Sequence, residues 1–101
     1  MLADDLAKAQ LCERDGLLYA VGLADGLAWF EWSYNRGATR AAFPDGSTRK
    51  LVSPDPTADD QPAIEVLQTG EIVVALTQED KVRSYVTRDE GEHWALVGEV
   101  E

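Results

Sequence analysis

Most of the chemistry open to this sequence lies in its carboxylates. They come as Asp59-Asp60, Glu79-Asp80 and Asp89-Glu90-Glu92, and the only histidine, His93, follows the last group. Two carboxyl groups held about 5–10 Å apart can cleave a glycosidic bond, and several converging oxygens can hold calcium. None of these groups has calcium-loop spacing, and His93 has no second histidine with which to build a metal site. The other chemically suggestive set is aromatic: Trp29, Phe30, Trp32 and Tyr34. Such rings stack on sugars, anchor protein interfaces or fill cores. On a strand, period two places Trp29 on one face and Phe30, Trp32 and Tyr34 on the other. The sequence has no Gly-rich phosphate loop, Cys/His metal pattern or serine elbow. The expectation is a non-catalytic chain with no cofactor and no metal.

Composition narrows the partners. Nineteen acidic residues against nine basic ones give a net charge of −10, which disfavours nucleic-acid backbones and anionic lipid surfaces. Cys12 is the single cysteine, so no internal disulfide forms, and a small buried hydrophobe in a strand is its expected role. The apolar runs are too short to span a bilayer. The start, Met-Leu-Ala-Asp-Asp, lacks the positive stretch of a signal peptide. These features predict a soluble chain made in the cytoplasm.

The elements that must position these groups repeat. At an offset of 54 residues, Gly16 falls on Gly70, Leu18 on Ile72, Asp25 on Glu79, Ser33 on Thr87, Asn35 on Asp89 and Gly37 on Gly91. Each copy reads as short strands rich in β-branched and aromatic residues. They are 9–14, 17–23, 27–34 and 49–53 in the first copy, and 63–68, 71–77, 81–88 and 95–100 in the second. Residues 53–62 (SPDPTADDQP) hold three prolines and read as a connector. The predicted organisation is a first repeat over 1–54, a linker over 55–62 and a second repeat over 63–101. Residues 1–8 suit either a helical turn or an edge strand. The fold class expected is all-β, two four-stranded antiparallel meanders. The runs LLYAVGL and AWFEW are apolar nearly throughout, the pattern of strands covered on both faces.

The octet Thr87-Arg-Asp89-Glu-Gly91-Glu-His-Trp94 resembles the Asp-box, or BNR repeat, of sialidase-like β-propellers. His93 stands where that family prefers Thr. The first copy keeps Ser33, Gly37 and Thr39, has Asn35 for Asp, and carries Arg40 in place of Trp. The residue types have independent physical reasons. Gly supplies a positive φ, and Asp, Asn, Ser and Thr accept bonds from turn amides. The resemblance implies blades of four strands, with the box as a structural turn away from any catalytic centre. It covers about 15–40 and 69–94. Enzymes of the family need five or more blades, and no catalytic residue carries over.

Two blades cannot close a ring, so their open sheet faces need cover. The expectation is a homo-oligomer, three copies making six blades, or a place in a larger assembly such as a phage tail, head-tail joint or virion decoration. The alternative is a lectin using Trp29 or Trp32, and a glycoside-acting enzyme is a remote third.

Overall fold

The computed structural model describes residues 2–100. It holds eight strands in two four-stranded antiparallel sheets. The first sheet runs β1 (Ala7–Arg14), β2 (Leu17–Ala24), β3 (Leu27–Ser33) and β4 (Lys50–Leu51), in that order. The second runs β5 (Ala63–Val66), β6 (Ile72–Gln78), β7 (Lys81–Thr87) and β8 (Ala95–Val100), also in order. The all-β class and the two antiparallel meanders read from the sequence are present. Among the described residues no helix is long and apolar enough to cross a membrane.

Tight hairpins follow from the turn residues. Asp25 and Gly26 join β2 to β3 with φ of 55° and 75°, and Glu79 and Asp80 join β6 to β7 at 52° and 63°. Paired positive φ values match the right-handed twist of the strands. The return strand expected over 49–53 is only Lys50–Leu51. The long connection after β3 spends its residues elsewhere: Phe43 enters the core, and Arg40 and Arg49 reach Glu31. Of the segment 1–8, residues 2–5 form a single turn, with Leu6 N–H donating to Ala3 O at 3.2 Å, and Ala7 and Lys8 open the edge strand β1; Met1 lies outside the described residues.

The two sheets share one core. Tyr19, Val21, Leu23, Ala28 and Phe30 of the first sheet meet Ile72, Val74, Leu76 and Tyr85 of the second. Across the gap β1 meets β5, and Arg14 donates from its guanidinium to the carbonyl oxygens of Leu67 and Gln68. The connector is pinned as well. Thr57 N–H donates to Gly26 O at 2.7 Å and Ala58 N–H to Thr77 O at 2.8 Å.

The faces that meet are not equivalent. Under the 54-residue offset, Val21 corresponds to Ala75, whereas Val74 corresponds to Ala20. Calling the face with Tyr19, Val21 and Leu23 the front, the front of the first sheet packs on the back of the second. The stacking is head-to-tail.

The back of the first sheet is covered from within the chain. Leu2, Ala3 and Leu6 bury themselves against Ala20, with Leu18 and Trp29 packed alongside. A Cβ at Gly22 would lie 2.6 Å from Leu6 Cβ, so only glycine admits this turn. Burying each leucine contributes about 2 kcal/mol. The apolar strand β2 is thus covered on both faces, as its pattern implies, and on this side the cover is the chain's own 2–6 turn and not a sheet.

Candidate functional site

The two octets fold into the same turn. Ser33 Oγ accepts from the backbone N–H groups of Asn35 (3.2 Å) and Gly37 (3.0 Å), and its hydroxyl donates to Asn35 Oδ1 at 2.7 Å. Asn35 Oδ1 also accepts from Thr39 N–H at 2.9 Å. In the second copy Thr87 Oγ1 accepts from Asp89 N–H (3.4 Å) and Gly91 N–H (3.0 Å) and donates to Asp89 Oδ1 at 2.8 Å. Asp89 Oδ1 accepts from His93 N–H at 2.9 Å. Gly37 and Gly91 take φ of 88° and 91°. The hydroxyl at the strand end and the carboxylate or amide two residues on satisfy amides that strand pairing leaves unpaired.

The copies part company at the last octet position. Trp94 lies edge-on to Phe30, centroids 5.2 Å apart, and its Nε1–H donates to Gly91 O at 2.9 Å. Arg40, in the matching place, donates from Nε to Glu31 Oε2 at 3.0 Å. Glu31 is wholly buried. Its oxygens also accept from Ala3 N–H (2.8 Å) and from Arg49 Nε and Nη2 (3.0 and 2.6 Å). Both arginines run on to Asp5, and Arg40 also to Asp4. This network ties the 2–6 turn to the first sheet. Burial works against the Asp5 carboxylate, but hydrogen bonding and charge from Arg49 outweigh it and hold its pKa below the ordinary value. Sequence reasoning missed Glu31, Arg40 and Arg49. The signal was an acid inside the apolar run AWFEW, which only a paired partner makes tolerable.

Asp89, Glu92 and His93 bring ligand-type atoms within 4.8 Å of one another. Both Asp89 oxygens already serve the turn, Oδ2 lying 2.6 Å from His93 Nδ1. Burial opposes the Asp89 charge, yet bonds from His93 and Thr87 hold its pKa down at about 2. The Asp89 contact and charge raise His93 above 6.5. The signs set a window. Asp89 adds stability above its unfolded 3.8 that is lost as pH falls towards 2. His93 adds stability below 6.5 that is lost as pH rises through its folded value. Urea unfolding should therefore show a small loss of stability as pH rises above 6.5. His93→Ala should remove that loss and keep part of the acid one, which also rests on the backbone N–H at position 93 and on Thr87.

The other acidic pairs singled out in the sequence sit apart from the Asp89 turn or in ion pairs. Glu90 accepts a bond from Tyr19 OH at 2.8 Å. Burial and this bond push the Tyr19 phenol far above its ordinary range. Asp59 sits 3.9 Å from Lys8 and is exposed. Glu79 pairs with Arg83 at 3.2 Å. Cys12 is half-buried beside the shared core, and its thiol is raised by burial and by Glu65.

The aromatic set divides. Phe30 is fully buried in the shared core, with Trp32 packed against it. Trp29 lies on the opposite face beneath the 2–6 turn, with Arg49 5.8 Å from its ring centroid. Tyr34 is 63% exposed and meets Trp32 edge-on at 6.2 Å.

The front of the second sheet is open. Cross-strand pairs place Ala63, Val73, Ala75, Val82, Ser84 and Val100 on it, with Glu65 its one charged side chain among the described strand residues. Val82 is 45% and Val100 68% exposed. Beside it, the edge strand β8 exposes Leu96 and Val97. A sheet face with a single charged strand side chain, on a chain of net charge −10, is suited to being covered. The chain matches no family model, no curated protein and no solved structure.

Proposed function

We propose that this chain is a non-catalytic assembly module: two Asp-box-like blades whose stack is continued by another protein sheet. The observation that carries this reading is the open front of the second sheet. The equivalent front of the first sheet, bearing Tyr19, Val21 and Leu23, is buried by the back of the second. The same kind of surface at Val73 and Ala75 therefore calls for a back face. Further copies of this chain supply one, and three copies would stack six sheets into a ring. A larger assembly, such as a virion, would use the same surface. The matching turns at Ser33–Gly37 and Thr87–Gly91 support the repeat reading, because a duplicated unit reproduces its hydrogen bonds.

Light scattering over a concentration series tests this. The mass should rise from 11.1 kDa towards three times that value at high protein concentration. Val73→Glu with Ala75→Glu should hold it at the monomer. Monomer mass at every concentration, and no docking onto a sister protein, would count against the module.

One observation favours a second reading. Tyr34, exposed and edge-on to Trp32, offers a small platform for a sugar ring. A glycan array signal lost on Trp32→Ala, with the fold intact, would put the lectin ahead.

A further inference from the structure

We propose that the 2–6 turn is an in-chain cap standing in for a preceding sheet, and that a second copy of this chain joins the stack only by displacing it. The proposal rests on the assembly reading above and adds what controls it.

The chain contains its own template for a front face docked on a back face. At the back of the second sheet, a Cβ on Gly91 would lie 2.2 Å from the Phe30 ring, so the ring of the preceding sheet sits directly on the turn. At the back of the first sheet, a Cβ on Gly37 would lie 3.1 Å from Leu18 Cδ2 of the same sheet and 3.7 Å from Leu2 Cβ of the cap. Leu2 N–H also donates to Gly37 O at 3.0 Å. Leu2 thus contacts the Gly37 turn as Phe30 contacts the Gly91 turn, though less closely. Leu6 extends the cover to Gly22 and Ala20. The cap and an incoming front face would occupy the same ground.

The cap's fastening is suited to release. Its apolar contact rests on Leu2, Ala3 and Leu6. Much of its polar hold runs from the exposed Asp4 and Asp5 to Arg40 and Arg49. Ion pairs at such exposure are weak and screened by salt. If the cap leaves, Glu31 keeps both arginines, so the back face is left with one excess positive charge beside a buried carboxylate rather than two unpaired ones. What the cap opens is the surface that the front face of another copy, with Val73 and Ala75, would cover.

The test is mass against concentration for four chains. Leu2→Ser with Leu6→Ser removes the apolar hold. Asp4→Asn with Asp5→Asn cuts the ion pairs and leaves the core intact, so it reports even where the first pair fails to fold. Both should assemble at lower concentration than the parent, the leucine pair by about tenfold or more. Adding Val73→Glu and Ala75→Glu to either should return it to the monomer. Folded cap variants that associate no more readily than the parent would overturn the cap, even where the glutamates still block parental association. Association that survives the glutamates in every background would overturn the front face itself, and the cap with it.

Discussion

Replacing Gly91 with alanine is expected to destabilise the protein by about 2–5 kcal/mol, against about 1–2 kcal/mol for the same change at Gly70. Both glycines have positive φ, 91° and 93°, so both substitutions carry the left-handed penalty. They differ in what the new methyl meets. At Gly70 nothing lies within 4 Å, whereas at Gly91 two Phe30 ring carbons lie at 2.2 Å. Phe30 is fully buried and fixed between the sheets, so it has little room to yield. Small domains are stable by roughly 5–15 kcal/mol, so the Gly91 variant should lose a large share of its margin. Chemical denaturation of the two variants side by side measures this. Equal losses would mean that the sheets do not meet at that turn.

Glu31→Ala is expected to cost about 3 kcal/mol, the lower part of the range for breaking a buried ion pair. The substitution leaves Arg40, Arg49 and the Ala3 N–H without their shared acceptor. The loss stays at the low end because the arginine side chains are 29% and 25% exposed and can regain water. Amide exchange at Ala3 should accelerate with it, since the cap loses its one bond to the carboxylate. Adding Arg40→Met and Arg49→Met should recover part of the loss, because no guanidinium is then left without its buried acceptor, and the exposed Asp5 is solvated. A near-neutral Glu31→Ala would contradict the tethering role.

The sheets were legible because their punctuation is local. Asp15-Gly16, Asp25-Gly26 and Gly70 end apolar runs at turn positions, and the duplicated register reinforces each boundary. Period two also placed Trp29 opposite Phe30 and Trp32, as the two core clusters show. It did not govern Tyr34, which lies one residue beyond β3. The cap was illegible for a different reason. Leu2 and Leu6 are too few to define a period, and their value lies in a glycine sixteen residues beyond Leu6 that leaves space for them. Glu31 was passed over because a charge inside an apolar strand identifies no partner by itself. Its arginines come from a connection whose path no local pattern encodes.

The most direct test of the head-to-tail account is an isotope-filtered methyl NOE experiment on a mixture of labelled and unlabelled protein at assembling concentration. The account predicts contacts between chains from Val73 and Ala75 on one copy to Ala20 and Trp29 on the next. Contacts from Val73 to its own counterpart, or none between chains, would contradict it.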